Sequence, residues 1–307
     1  MRTIVIATRQ SPLALWQAEF VKQQLLISNP SLSISLLKTN TIGDKRQDVS
    51  LAEIGGKNLF IKELQSVVID GIADIAVHSL KDLSVKQHPD LCLAAVCERE
   101  DPRDAFVSNH YPNIDSLPQS AVVGTASPRR QAQLAQWRPD LTIKLLRGNV
   151  QTRLSKLDNN EFDAIILACA GLIRLDLAHR ITESLDPKRF IPAIAQGALG
   201  VECRQHDEEM KQLLTPLNHH ETALCVAAER AVNIKLGGDC FTPIAAHATL
   251  VDENSLALAG FVGSIDGGAC VRSSLSGDLD QAEGLGLEVA NDLLAQGAST
   301  IISKKDI

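Results

Sequence analysis

The sequence predicts an α/β protein with two similar lobes joined by a hinge and a small C-terminal α+β domain. Two observations carry this prediction. Strand-like and helix-like segments recur in the same order along the first two-thirds of the chain, and after about His219 that order gives way to a helix, three short strands and a second helix. The length of 307 residues agrees, since it corresponds to about two domains from size alone.

The repeat consists of three segments that each occur twice: 3–7 with 121–124, 32–40 with 141–149, and 73–79 with 162–168. In the first pair, the strand leads through Ser11-Pro12 or Ser127-Pro128 into an amphipathic helical pattern. Serine at the N-cap and proline at the first helical position favour a helix start. Three matches in the same order predict two related β-α-β-α-β units with parallel sheets.

The first copy carries about twenty additional residues, roughly 41–60, between its second and third strands. This insert is charged and contains glycines. Long loops within compact domains are commonly lids or disordered segments. We expect a mobile lid here.

Two linking stretches set the predicted domain boundaries. Residues 97–104 are polar and predict a hinge, whereas residues 190–201 are apolar, contain glycines and predict a second crossing. A chain that leaves one α/β domain, builds another and returns is expected to form a cleft between two lobes. The predicted domains are lobe 1 at 1–97 with 198–216, lobe 2 at 103–192, and the C-terminal domain at 219–307.

Composition argues against several classes of protein. The net charge of -7 disfavours a nucleic-acid partner. The sequence has no apolar run of the roughly 18 to 20 residues that a membrane span needs and no signal-peptide profile, so we expect a cytoplasmic protein. The seven cysteines are scattered without a C-x-x-C pair, which predicts reduced thiols. The histidines His219, His220 and His247 lack ligand-like partners in the sequence, so we expect no metal.

Basic residues concentrate at the predicted carboxyl ends of strands and in the first turns of helices: Arg9, Lys81, Arg129, Arg130, Arg147 and Arg153. Ligands of open parallel sheets bind at these strand ends, and helix N-termini there favour anions. Arg129 and Arg130 oppose the helix dipole, a cost that an anion would offset. Surface salt bridges are the alternative for any one arginine, but the whole set in an acidic protein predicts a small ligand with several carboxylates.

Three further residues are candidates for chemistry. Cys240 lies in a glycine-containing loop at 236–243, where it is either a reactive thiol or a small hydrophobe in a turn. Asp82 follows Lys81, and either pairs with a cation or stabilises positive charge on a substrate or passes a proton. His78 is interpreted as a satisfied histidine at a strand end rather than a catalyst.

These residues belong to motifs that resemble the porphobilinogen deaminase family, also called hydroxymethylbilane synthases. The resemblance runs in order along essentially the whole chain, and several of the motifs are highly specific. They are 8–14 (TRQSPLA), 55–57 (GGK), 78–82 (HSLKD), 124–130 (GTASPRR), 147–150 (RGNV), 196–199 (QGAL), and Glu229-Arg230 with Cys240.

The resemblance implies an enzyme of tetrapyrrole biosynthesis with three domains, the first two similar to periplasmic binding proteins. It implies one dipyrromethane cofactor per chain, bound through a thioether to Cys240. Four porphobilinogen molecules are deaminated and joined head to tail, and hydrolysis releases linear hydroxymethylbilane. The ligands implied are porphobilinogen and the growing oligopyrrole. We expect a monomer without nucleic-acid or membrane partners.

The resemblance also implies residue roles. Asp82 is the catalytic carboxylate that contacts pyrrole nitrogens. Cofactor-binding residues are Cys240, Ser79, Lys81, Asp82, Thr125, Ser127, Arg129, Arg130 and Gln196. Substrate-binding residues are Arg9, Ser11, Arg147, Arg153 and Arg174, and Lys57 and Phe60 belong to the lid.

Two positions depart from the family pattern. Asp239 precedes the cysteine where a small residue is usual, and a nearby carboxylate disfavours the thiolate. Asn58 replaces a more usual glycine in the insert.

Two other classes of function remain as alternatives. The first is a non-catalytic sensor of a small polycarboxylate, which would leave Asp82 and Cys240 unexplained. The second is an enzyme that uses Cys240 as a transient nucleophile, although no histidine and asparagine arrangement for it is apparent in the sequence. The intact mass of the purified protein separates all three.

Overall fold

The computed structural model describes residues 3–39, 61–239 and 241–303. The predicted lid residues Lys57 and Phe60, the departure at Asn58 and the predicted cofactor-bearing Cys240 lie outside the described residues. The chain divides into two compact units, Met1–Glu100 with Gly197–Ala223, and Asp101–Gln196 with Leu224–Ile307. The division into three domains stays a prediction.

The first unit is built on a five-stranded sheet. Its strands are β1 (Thr3–Arg9), β2 (Ser33–Thr39), β3 (Ile75–Ser79), β4 (Leu91–Val96) and β10 (Leu199–Arg204), and its helices are α1 (Pro12–Ser28), α2 (Lys62–Ile69) and α6 (Glu208–Leu214). The strand order is β2-β1-β3-β10-β4, with β1 parallel to β2 and β3, and β10 antiparallel to β3 and β4.

Alternation along these strands places helices on both faces of the first sheet. Ile4 and Ile6 pack with the α1 residues Ala18, Val21 and Leu25. Successive side chains of a strand point to opposite faces, so Ala7 of β1 lies on the other face, where α2 packs. Ala7 and Ala76 cluster there with Leu64 and Val68 of α2. Burial on both faces explains the apolar runs at 4–7 in β1 and 75–77 in β3.

The second unit contains a sheet of the same design. Its strands are β5 (Asp104–Val107), β6 (Val122–Thr125), β7 (Thr142–Leu145), β8 (Ala164–Ala168) and β9 (Glu183–Ser184), and its helices are α3 (Pro128–Trp137), α4 (Val150–Asp158) and α5 (Cys169–Ile173). The strand order is β7-β6-β8-β5-β9. β6 is parallel to β7 and β8, and β5 is antiparallel to β8 and β9.

The strand orders confirm the repeat, because β2-β1-β3 and β7-β6-β8 occupy corresponding places as parallel triplets. The predicted parallel sheets are confirmed for these triplets only, because each sheet also has an antiparallel fourth strand, β10 or β5, outside the repeated unit. Helical crossovers impose parallel strands only within a β-α-β unit. The fourth strand follows a linking stretch instead, so it is free to run in the opposite direction.

The C-terminal region is a small α+β domain. It contains α7 (His220–Leu236), β11 (Ile244–Leu250), β12 (Ser255–Gly263), β13 (Cys270–Asp278), α8 (Ala282–Ala295) and α9 (Ala298–Ser303). The three strands form an antiparallel sheet in sequence order. Leu256 and Leu258 of β12 pack with Val289 and Leu293 of α8. Together with the two α/β sheets, this domain confirms the predicted fold class.

Within the described ranges, none of the helices is sufficiently long and apolar to cross a membrane.

Candidate functional site

In the first unit, the turn from β1 to α1 brings two predicted site residues together. Arg9 is the last residue of β1 and is partly buried. The Ser11 hydroxyl accepts a hydrogen bond from the Ala14 amide at 3.3 Å, and Pro12 is the first residue of α1. The predicted Ser-Pro helix start is therefore confirmed here. Ser11 acts as an N-cap, and its predicted contact with substrate stays a prediction.

The end of β3 carries Ser79, Lys81 and Asp82. The Gln17 amide of α1 donates a hydrogen bond to the Ser79 hydroxyl at 2.8 Å. A short 3-10 turn follows at Leu80–Asp82, and the Leu80 amide donates to the Ala198 carbonyl at 3.0 Å. Lys81 and Asp82 are both exposed on this turn. Their side chains are therefore accessible to a ligand.

A cavity of about 30 Å³ lies at these strand ends, lined by Arg9, Ala14, Gln17, Ile61, Leu64, Val77, His78, Ser79 and Asp82. This volume is enough for ordered water. The fold thus brings together Arg9 of one sequence motif with Ser79 and Asp82 of another.

The corresponding turn in the second unit, from β6 to α3, has the same local design. The Ser127 hydroxyl accepts a hydrogen bond from the Arg130 amide at 3.4 Å, and Pro128 begins the helix. The Thr125 hydroxyl accepts from the Ser127 amide at 3.2 Å. Thr125 and Ser127 therefore shape the turn that presents Arg129 and Arg130.

Asp104, Arg129, Arg130 and Gln196 form a buried group that we call the Asp104 cluster. The Asp104 carboxylate is 0% exposed. Arg129 donates to it from Nη1 at 2.7 Å and Nη2 at 3.1 Å, and Arg130 donates from Nη2 at 2.7 Å and Nε at 2.9 Å. The Gln196 amide donates at 3.1 Å. Burial alone would raise the pKa of Asp104, but the two guanidiniums outweigh it and hold that pKa well below its usual range.

This cluster corrects one step of the sequence argument. The sequence predicts that a ligand supplies the anion that compensates the positive charge of Arg129 and Arg130. In the structure, the chain itself supplies a carboxylate there, Asp104. Sequence reasoning missed Asp104 because it lies in the polar stretch that was interpreted as a hinge. Its pairing with two arginines depends on tertiary contact rather than on spacing.

Charge in the Asp104 cluster is nevertheless unbalanced. Two guanidiniums face one carboxylate, which leaves one positive charge in excess. Arg129 Nε is buried and has no hydrogen-bond partner within the described part of the chain. A buried cation without a counter-ion is costly, so a ligand carboxylate would be favoured beside this cluster. The cofactor-binding roles of Arg129, Arg130 and Gln196 stay predictions.

The predicted substrate-binding arginines of the second unit lie on three elements. Arg147 follows β7 and Arg174 ends α5. Arg153 lies on α4 and donates from Nε to the Gly148 carbonyl at 2.8 Å. Gly148 has a φ of 119°, and a Cβ there would lie 2.7 Å from the Thr152 side chain, so this position requires glycine. The structure places Arg153 against the Gly148 carbonyl, directly after Arg147 in the chain, and Arg174 lies at the end of another helix.

Glu229, part of the quoted motif, has a structural role that the sequence did not indicate. Its buried carboxylate accepts hydrogen bonds from the amides of Ala195 at 2.6 Å and Ala248 at 2.8 Å. Ala195 directly precedes Gln196 and has a positive φ of 58°. Glu229 therefore fixes the strained backbone that leads into Gln196.

Burial affects the chemistry of the described thiols. Burial raises the pKa of Cys169 to about 11 and the pKa of Cys203 to about 12. Both thiols are therefore protonated at neutral pH. Among the described residues, no group of three or more His, Cys, Asp or Glu side chains is arranged to hold a metal ion.

Solved structures that resemble this chain include three bacterial binding proteins. A putative methionine-binding lipoprotein from Bacillus subtilis matches with a TM-score of 0.44 at 14% identity, over 72% of this chain and 92% of that chain. A periplasmic substrate-binding protein of an ABC transporter from Coxiella burnetii matches with a TM-score of 0.45 at 13% identity, over 74% and 97%. The methionine-binding protein MetQ matches with a TM-score of 0.46 at 12% identity, over 73% and 94%.

Family models match nearly the whole chain. The model described as "Porphobilinogen deaminase, dipyromethane cofactor binding domain" matches residues 4–212. The model described as "Porphobilinogen deaminase, C-terminal domain" matches residues 223–295. The first match alone covers more than half of the 307 residues and contains the Asp104 cluster and the strand end with Asp82. The chain therefore belongs to the porphobilinogen deaminase family, whose enzymes polymerise pyrroles in tetrapyrrole biosynthesis.

Proposed function

We propose that this chain is a transferase that deaminates four porphobilinogen molecules and joins them head to tail into hydroxymethylbilane. The growing chain is built on a dipyrromethane primer, one per protein chain, attached covalently to Cys240. The observation that carries the proposal is the excess positive charge of the Asp104 cluster within a family of pyrrole-polymerising enzymes. The chain is proposed to act as a monomer in the cytoplasm, with porphobilinogen and the growing oligopyrrole as its ligands.

The residues of the second unit fit a group that bears carboxylates. Arg129 and Arg130 are held rigidly by Asp104, so little side-chain entropy is lost when an acetate or propionate binds beside them. The orphaned Arg129 Nε offers an unused donor. When bound, the dipyrromethane supplies the pyrrole carbon to which the first substrate is joined. Thr125, Ser127 and Gln196 of this unit are proposed to hold its remaining polar groups. Cofactor-binding roles are also proposed for Ser79 and Lys81, on the family resemblance of their motif.

Asp82 is proposed to act on the reacting pyrroles. Its side chain is exposed on a turn whose backbone is fixed by the hydrogen bond from the Leu80 amide to the Ala198 carbonyl, so it is accessible at a defined place in the fold. Departure of ammonia leaves positive charge on the substrate ring, which a fixed negative charge stabilises. The same carboxylate can accept the proton that the acceptor pyrrole carbon loses when the new bond forms.

The arginines near strand ends are proposed to bind the acetate and propionate groups of the substrate. Arg147 directly precedes Gly148 in the chain and Arg153 contacts its carbonyl, and the positive φ of Gly148 makes the backbone turn tightly there. Arg174 and the pair Arg9 and Ser11 complete the proposed set. A guanidinium holds a carboxylate by two parallel hydrogen bonds, which fixes orientation as well as charge.

Two measurements on one preparation test this function. Intact mass of the wild-type protein, isolated from cells that make porphobilinogen, should exceed the sequence mass by two linked pyrrole units, and Cys240→Ala should lack this adduct. The loaded protein should convert porphobilinogen to hydroxymethylbilane. An unmodified wild type that binds porphobilinogen without turnover would contradict the proposal and favour a sensor of small polycarboxylates.

A further inference from the structure

A buried polar group lies behind the strand end that carries Asp82. Glu202 of β10 is 0% exposed, and its carboxylate lies 2.9 Å from the Nε2 atom of buried His78 on β3. The Gln65 amide of α2 donates to both Glu202 oxygens at 3.1 Å. The contact between His78 and Glu202 is short but lacks the alignment of a hydrogen bond. We refer to these two residues as the His78–Glu202 pair.

Strand register explains why the two side chains meet. His78 is opposite Gly200 and Glu202 is opposite Ala76, so the two residues are diagonal neighbours on one face of the antiparallel β3 and β10 strands. Ala76 packs on that face with Leu64 and Val68 of α2. The pair is therefore enclosed between the sheet and α2, next to an apolar cluster.

The second sheet provides an internal comparison for this pair. The repeat matches 73–79 with 162–168, so His78 corresponds to Leu167. Val107 is opposite Ile165 in β8, just as Glu202 is opposite Ala76 in β3. Val107 and Leu167 thus occupy the positions of Glu202 and His78. They pack in one apolar cluster with Leu154 and Leu157 of α4.

This comparison indicates that the fold does not need the His78–Glu202 pair. A buried polar pair is often no more stabilising than apolar residues of similar volume, and apolar residues fill these positions in the second sheet. The pair is found only in the sheet whose strand end carries polar residues. Ser79 and Asp82 follow His78, whereas the corresponding residues of the second unit are Ala168 and Gly171.

His78 also reaches the site directly. His78 is among the residues that line the same cavity as Ser79 and Asp82. Movement of the imidazole would therefore disturb the wall of this cavity and the backbone immediately before Ser79.

We propose that His78 and Glu202 are positioning residues, which with Gln65 fix the orientation of Ser79 and of the turn that presents Asp82. This inference rests on the function proposed above, in which Asp82 acts on the reacting pyrroles. The pair acts through Ser79 and Asp82 and does not itself contact substrate.

The test replaces the His78–Glu202 pair by the apolar residues that the second sheet has at the same positions. The double variant His78→Leu/Glu202→Val reproduces the side chains of Leu167 and Val107. We expect it to fold with a thermal midpoint equal to or above that of the wild type and to carry the same adduct by intact mass. Its kcat should fall by roughly tenfold or more because a displaced catalytic group loses its geometry, whereas KM should change by less than about threefold.

Two controls separate positioning from packing. His78→Gln places an amide nitrogen near the position of Nε2 and keeps a polar group beside Glu202, so kcat should remain within about threefold of the wild type. Leu167→Met alters the corresponding position of the second sheet with little change in volume and should leave kcat unchanged.

Each outcome decides the question. A folded, loaded double variant with wild-type kcat would overturn the positioning role, and so would a double variant that fails to fold, since the pair would then serve the fold itself. Equal losses in the double variant and in His78→Gln would overturn it as well. Absence of turnover in the wild type would instead refute the proposed function.

Discussion

The two five-stranded sheets of this protein share a strand order, but where one sheet buries a polar or charged group, the other buries apolar residues. The second sheet buries Asp104 with Arg129 and Arg130, whereas the first has Leu199, Leu13 and Ala14 at the corresponding places. The first sheet buries the His78–Glu202 pair, whereas the second has Leu167 and Val107. Because each sheet forms with apolar residues where the other has its polar group, neither group is required by the fold. The repeat supplies a scaffold, and each copy carries its own charge.

The two units also differ in the sign of the charge at their candidate site residues. The second unit holds an excess of positive charge next to α3, which suits carboxylate groups that must be held. The first unit exposes the carboxylate of Asp82 at a strand end, which suits positive charge that develops during reaction. We propose that Arg129 and Arg130 of the second unit are the main residues that retain the cofactor and that Asp82 of the first unit acts on the rings.

The largest expected effect comes from breaking the Asp104 cluster. Asp104→Asn removes the only carboxylate that pairs with both arginines in the described residues and leaves two buried cations, so the free energy of unfolding should fall by about 3 to 5 kcal/mol. Urea denaturation measures this change. Asp101→Asn is the matched control, because its pair with Arg103 at 2.7 Å is more exposed and should cost only about 0.2 to 1 kcal/mol. Similar losses in both variants would contradict the importance given to the cluster.

Neutralising Asp82 should reduce turnover and leave stability almost unchanged. Asp82→Asn keeps the shape of the side chain and removes its charge, so turnover of porphobilinogen should fall about 100- to 1000-fold. The side chain is exposed, so the thermal midpoint should stay close to that of the wild type. Steady-state turnover and a thermal melt on one preparation provide the test. Near-normal turnover of a folded, loaded Asp82→Asn protein would refute the catalytic role.

A smaller effect is expected at Arg147. Loss of one charge-assisted contact with a substrate carboxylate costs about 1.5 to 3 kcal/mol, so kcat/KM of Arg147→Leu should fall roughly ten- to a hundred-fold. Arg147→Lys keeps the charge but loses the planar fork, and should lie between the two. Unchanged kinetics in Arg147→Leu would remove this residue from the proposed substrate site.

The smallest effect concerns pH. The pKa of Asp104 is lowered in the folded state, so its contribution to stability is fully present above the unfolded pKa of about 3.9 and is lost as pH falls below that value. The thermal midpoint of the wild type should therefore drop more steeply below about pH 4 than that of Asp104→Asn, whose side chain does not titrate. Parallel curves for the two proteins between about pH 5 and pH 2 would show that Asp104 is not held ionised by the arginines.

Much of the fold was predictable because its signals are local. The Ser-Pro steps at Ser11-Pro12 and Ser127-Pro128 start helices through a cap and a fixed φ, and both starts were located from the sequence. The internal repeat gave the parallel triplets of both sheets. The antiparallel directions of β5 and β10 were missed, because strand direction after a linking stretch is decided by tertiary packing.

Site residues divide in the same way. Arg9, Ser79 and Asp82 stand at strand ends that periodicity can locate, and the fold brings them to one cavity. Asp104 and Glu202 were missed, because a buried carboxylate is identified by partners far away in sequence, such as Arg129 or Gln65. Cys240 was singled out by its glycine-containing loop and its motif, and its role stays a prediction.

The most direct test of the division of work between the two units is the intact mass of two purified variants beside the wild type. Arg130→Gln removes one of the two cations that each donate two hydrogen bonds to Asp104, whereas Asp82→Asn leaves the cluster intact. We predict that folded Arg130→Gln lacks the adduct of two pyrrole units and that folded Asp82→Asn carries it. A fully loaded Arg130→Gln protein, or a folded Asp82→Asn protein without the adduct, would contradict the assignment of retention to the second unit and reaction to the first.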